Sequence, residues 1–98
     1  MIVTLLKLGL DPSENGFGQL GILIKEYEKD QTQGICEVIN RLTRVYNFKP
    51  YSLERNIRHA IKKVYPNITV KQFVNLCILY DLEKIDFDTL VESLKRYE

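Results

Sequence analysis

Ile35-Cys36-Glu37-Val38-Ile39-Asn40-Arg41-Leu42-Thr43-Arg44-Val45-Tyr46-Asn47-Phe48-Lys49-Pro50-Tyr51-Ser52-Leu53-Glu54-Arg55-Asn56-Ile57-Arg58-His59-Ala60-Ile61 is the stretch on which the reading of this chain turns. Ile35, Val38, Ile39, Leu42, Val45 and Tyr46 recur at the spacing of one helical face, with Arg41 and Arg44 outside it. Asn47-Phe48-Lys49 breaks the pattern. Pro50 suits the first position of a new helix, where its missing N–H costs nothing. Along that helix Leu53, Ile57, Ala60, Ile61 and Val64 form an apolar face, and Glu54, Arg55, Arg58, His59 and Lys62 occupy the rest. Two helices joined by about three residues, the second with arginines on its outer face, predict a helix-turn-helix. Asn47 is the expected turn residue, because Asn is the commonest substitute for glycine at positive φ. In that register Leu42, Tyr46, Phe48 and Leu53 pack, and Thr43 supplies a small side chain at the crossing. Asn56 falls on a packing position and fits it poorly.

The charge distribution points the same way. Val38 to Tyr80 holds eight basic side chains against Glu54 alone, a net +7, whereas the remainder holds six basic and twelve acidic ones, a net −6. A chain of net charge +1 therefore carries a basic surface suited to a polyanion. Arg55, Arg58 and His59 share a face with Glu54 at its edge. Arginine gives two parallel hydrogen bonds to guanine O6 and N7, and a glutamate accepts from cytosine N4. An acidic side chain in a phosphate-binding surface costs affinity, so Glu54 is read as a base contact or as the orienter of a neighbouring arginine. The competing reading is a solvated helix carrying a Glu54–Arg58 ion pair. The expected base readers are Glu54, Arg55 and Arg58; the expected backbone contacts are Arg44, Lys49, Tyr51, Ser52, His59 and Lys62.

Outward from this pair, Ile2 to Leu10 predicts a short helix stopped by Gly9-Leu10-Asp11-Pro12-Ser13. Leu20, Leu23, Ile24 and Tyr27 predict a second helix, closed by the polar run Glu28 to Gly34. Thr69-Val70-Lys71-Gln72 has capping-box spacing before Phe73 to Tyr80, a segment apolar nearly all round that is either central or meets a partner. Asp86 or Asp88 caps a last helix with Leu90, Val91, Leu94 and Tyr97 inward. The expected architecture is one all-α domain, residues 1–98: a compact bundle of about six helices.

Several chemistries are set aside. The 98 residues suffice for one core, and 45% apolar with 28% charged residues excludes disordered, collagen-like and membrane chains. Lys7 interrupts the apolar run at the N-terminus, which also lacks a basic leader, so no signal peptide or membrane span is expected and a cytoplasmic location is. Cys36 and Cys77 lie far apart among apolar neighbours and read as core thiols. His59 is the single histidine and lacks partners for acid–base or metal work. No catalytic residue, metal or cofactor is expected. Gly16-Phe17-Gly18-Gln19-Leu20-Gly21 matches the dinucleotide pattern, but no strand–helix–strand unit surrounds it; tight helix packing and turn geometry explain these glycines better. Asp81, Glu83, Asp86 and Asp88 lack the ordered oxygen ligands and central glycine of an EF-hand.

Leu53-Glu54-Arg55-Asn56-Ile57-Arg58-His59-Ala60-Ile61 closely resembles the recognition helix in the C-terminal effector domain of the sporulation master response regulator (stage 0 sporulation protein A) of endospore-forming Firmicutes. The resemblance extends more weakly over nearly the whole chain, including Leu8-Gly9-Leu10 and Gly16-Phe17. It implies that Glu54, Arg55, Arg58 and His59 face DNA, that copies bind tandem sites side by side or as a homodimer, and that an RNA polymerase sigma factor is a partner. Three departures accompany it: no receiver domain is expected in front of the helices, the segment from Gly16 to Asn47 is a few residues shorter, and Tyr51-Ser52 replaces the usual Ser-Arg pair. A stand-alone form of the domain would suit a plasmid, phage or transposon regulator. The leading expectation is sequence-specific binding of double-stranded DNA in transcription regulation. The alternative is a protein-interaction adaptor or DNA-transfer accessory protein that uses helix 70–80 and the acidic C-terminal third.

Overall fold

Apolar residues at three- and four-residue spacing become six helices in the computed structural model, which describes residues 1–49 and 51–98. They are α1 (Ile2–Lys7), α2 (Asn15–Lys29), α3 (Ile35–Val45), α4 (Ser52–Lys62), α5 (Val70–Asp81) and α6 (Phe87–Lys95), with no strand among the described residues. The fold is all-α. Every helix sends side chains into one apolar cluster, from Leu5 of α1 to Leu90 and Leu94 of α6. The longest helix, α2, lies at its centre and touches α1, α3, α4 and α5, its most extensive contact being with α4. The Cα radius of gyration, 12.6 Å, is that of a single domain of this length.

Helix ends follow from local chemistry. Gly9 (φ 90) closes α1: its N–H donates to the Leu6 carbonyl and the Leu10 N–H to the Leu5 carbonyl, which is the Schellman pattern. Asn47 (φ 56) and Glu83 (φ 60) occupy the same place after α3 and α5, and the following N–H groups of Phe48 and Lys84 donate to Thr43 and Leu79. The capping box at Thr69 forms both of its bonds: Gln72 N–H to Thr69 Oγ1 at 3.1 Å and Thr69 N–H to Gln72 Oε1 at 3.0 Å. Asp86 caps α6, its Oδ1 accepting from the Thr89 N–H at 2.7 Å.

That cap makes α6 pH-sensitive. The backbone N–H of Thr89 holds the Asp86 carboxyl below the usual aspartate range. A lowered folded-state pKa contributes stability that is present above the ordinary value of about 4 and is lost as pH falls through the folded one. Asp86→Ala is therefore expected to lower Tm near neutral pH, with the gap to wild type narrowing below about pH 4 in circular dichroism melts. An equal gap at both ends of the pH range would contradict the assignment.

The described structure corrects three sequence expectations. Val45 and Tyr46, expected on the inner stripe of α3, are 68% and 48% exposed. Helix α3 leans on α2 and touches α4 only lightly, so its last turn overhangs the core, and Tyr46 stacks on Phe48 instead, with centroids 5.9 Å apart. Cys36 is exposed because it lies one residue off the Ile35–Val38–Ile39–Leu42 stripe. Cys77 is buried, and burial pushes its thiol up to about 12. The connection between α3 and α4 runs from Tyr46 to Tyr51, six residues rather than about three. Two left-handed residues, Asn47 and Tyr51, stand in it. Finally, α4 starts at Ser52 with Tyr51 as its N-cap. The proline-first start assigned to Pro50 lies outside the described residues.

The Phe73–Tyr80 segment turns its apolar character inward. Phe73, Val74, Cys77 and Ile78 are buried, Leu76 and Tyr80 pack against the core from its edge, and Leu79 is 39% exposed. No helix among the described residues is long and apolar enough to cross a membrane.

Candidate nucleic-acid interface

Packing fixes which face of α4 is free. Leu53, Ile57 and Ile61 are almost completely buried, each such side chain contributing about 1.5–3 kcal/mol, so the inner face is set by the core and not by the polar residues. Gly16 makes the fit close: a Cβ there would stand 2.0 Å from the Asn56 carbonyl oxygen, so the first turn of α2 lies directly against the α4 backbone. Asn56, the residue that fits the expected packing register poorly, is half-buried at this crossing and contributes its backbone to it.

On the opposite face, Tyr51, Arg55, Arg58 and Lys62 follow each other at i, i+4, i+7 and i+11, a stripe along the helix, and all four are exposed. Glu54 flanks the stripe. Its Oε1 and Oε2 accept from Arg58 Nη1 at 2.8 and 2.9 Å, an i, i+4 pair open to solvent and worth a few tenths of a kcal/mol. The pair positions the Arg58 guanidinium and leaves its other edge available as a donor. His59 lies on the other flank, with Nε2 at 3.8 Å from Glu14 Oε2; Lys63 pairs with the same carboxylate. Glu14 holds the Lys63 ammonium above its usual range and neutralises that edge of α4. Arg41 is likewise engaged, at 3.6 Å from Glu26.

Of the residues singled out from sequence, Arg44, Lys49, Arg55 and Lys62 make no ion pair among the described residues. Ser52 is the first residue of α4, its N–H donating to the Lys49 carbonyl at 3.1 Å. Arg44, Tyr51 and Glu54 line a groove of about 580 Å³ together with Cys36, Ile39, Asn40 and Thr43. Sequence reasoning missed Asn40 and Cys36 here. Their signal was the outer stripe Cys36, Asn40 and Arg44 of α3, which treating Cys36 as a core residue obscured. The Thr43 hydroxyl donates back to the Ile39 carbonyl at 2.8 Å and keeps the groove floor compact. Exposed aliphatic side chains are Ile2, Val3 and Leu6 of α1, Val45 at the end of α3, and Leu79 and Leu82 at the end of α5.

The dinucleotide motif dissolves in this geometry. Gly16 serves the α2–α4 crossing, whereas Gly18 has open space around it and Gly21 meets only Ile2, and all three lie inside a helix. Comparison of the chain with protein-family models, with curated proteins and with solved structures finds no match.

Proposed function

We propose that this chain binds double-stranded DNA in a sequence-specific manner, α3 and α4 acting as a helix-turn-helix with α4 in the major groove. The observation that carries this reading is the exposed stripe Tyr51, Arg55, Arg58 and Lys62 on a helix whose other face is anchored in the core. Arg55 reads a guanine edge, and Arg58, steadied by Glu54, reads a neighbouring one or shares a base pair with that carboxylate. Arg44, Lys49 and Lys62 neutralise phosphates. Ser52 offers its hydroxyl to the backbone, and His59 does the same from the Glu14 edge. Tandem or dimeric occupation and contact with a sigma factor, as the resemblance implies, belong to the same proposal. Transcription regulation is the role that fits. The alternative, a protein-interaction adaptor or DNA-transfer accessory protein, would use the end of α5, where Leu79 and Leu82 are exposed, together with the acidic C-terminal third.

Selection from a random duplex pool at moderate salt tests the proposal. A single enriched motif is expected; recovery of unenriched sequence would refute specific reading.

A further inference from the structure

The residue at the head of α4 is poorly matched to its place by every internal criterion. Tyr51 is held at φ 67, the left-handed region that a side chain with a Cβ enters only at a cost. It stands at the N-cap, where Ser, Thr, Asp or Asn would accept a backbone hydrogen bond, and its side chain caps nothing. The residue is 90% exposed and, among the described residues, its ring has no aromatic partner, so packing does not offset the strain either. Strain of this kind, uncompensated inside the chain, is characteristic of contact sites.

Its surroundings specify the contact. Tyr51 precedes Arg55 by one helical turn on the outward stripe and lines the same groove as Arg44. A side chain entering the major groove meets base edges, because the faces are stacked, and the apolar feature among those edges is the 5-methyl group of thymine. We propose that Tyr51 is a specificity-determining residue whose ring packs on a thymine 5-methyl group, while Arg44 holds a phosphate of the same strand. The inference rests on the reading of α4 as a duplex-DNA reader.

The test combines Tyr51→Gly and Tyr51→Phe with duplexes of the selected motif in which each thymine in turn is replaced by deoxyuridine, which lacks only the methyl group. Tyr51→Gly removes the strain and is expected to raise Tm. For wild type and Tyr51→Phe, one deoxyuridine position is expected to weaken binding about four-fold, the factor that goes with burying a methyl group. For Tyr51→Gly the same replacement is expected to change nothing. Wild type and Tyr51→Gly responding alike at every position would overturn the inference while leaving DNA reading intact. So would Tyr51→Phe losing affinity equally for all sequences, which marks a phosphate contact by the hydroxyl. An unchanged or lowered Tm for Tyr51→Gly would remove the strain argument. Absence of any enriched motif for wild type would overturn the reading of α4 and this inference with it.

Discussion

Gly16→Ala is expected to destabilise the protein severely. The added Cβ would stand 2.0 Å from the Asn56 carbonyl oxygen, 2.4 Å from its carbon and 2.8 Å from the Ile57 nitrogen. All three are backbone atoms inside α4, so no side chain can swing away, and the two helices must separate. Overpacking a well-filled core costs about 1–3 kcal/mol, and more where backbone has to move. Here the displacement also opens the most extensive helix contact in the molecule, around the fully buried Ile57. A domain of this size has only about 5–15 kcal/mol to lose. A fall in Tm of roughly 15 °C or more is expected, at about 4–8 °C per kcal/mol. Gly18→Ala is the control, because a Cβ there meets nothing within 4 Å and alanine favours the helix by about 1 kcal/mol. Its Tm should rise by a few degrees. Equal melting of the two variants would mean that α2 and α4 do not cross this closely, and the face that α4 presents would have to be reassigned.

The existence, order and inner faces of the helices were legible because burial at three- and four-residue spacing leaves a periodic trace. Leu20, Leu23, Ile24 and Tyr27, like Leu53, Ile57, Ala60 and Ile61, are buried as their spacing predicts. Errors gathered where periodicity continues past the point at which packing stops. Val45 and Tyr46 keep the phase of α3, yet both are exposed. The length of the α3–α4 connection was illegible for a different reason: an aromatic residue gives no composition signal for a left-handed conformation, so Tyr51 read as helix. Gly16 illustrates the opposite case. Its pattern with Gly18 and Gly21 suggested a phosphate loop, and the requirement for glycine came from a helix 40 residues away at Asn56.

For the candidate interface, sequence supplied the residues but not their engagement. That Glu54 and Arg58 lie one turn apart was plain, and so was an ion pair between them; that both carboxylate oxygens take the same Nη1 was not. The pairing of Lys63 and His59 with Glu14 joins residues more than 40 positions apart and has no local signature. These pairings divide the basic surface into cations paired within the protein and cations with no ion-pair partner among the described residues, the latter being those the proposed DNA reading uses. Arg55 and Lys62 belong to the second group and share one stripe, so they allow base reading to be separated from phosphate neutralisation on a single helix.

Arg55→Ala is accordingly expected to remove discrimination at one base pair of the selected motif. A bidentate arginine–guanine contact is worth about 1–3 kcal/mol, or roughly five- to 150-fold in affinity for the preferred sequence. Sequences already mismatched at that position should be weakened far less, because for them the contact was never made. Lys62→Ala should behave differently. A phosphate contact carries no base information, so all sequences weaken together and the slope of log affinity against log salt falls by about one. Both residues are exposed and neither touches the core, so circular dichroism melts should place both variants within a few degrees of wild type. Titration of the selected motif and its single-base variants at several salt concentrations reads the two effects independently. If both substitutions weakened every sequence by one factor, Arg55 would be a phosphate contact, and base reading would pass to Arg58, whose guanidinium Glu54 already holds in place.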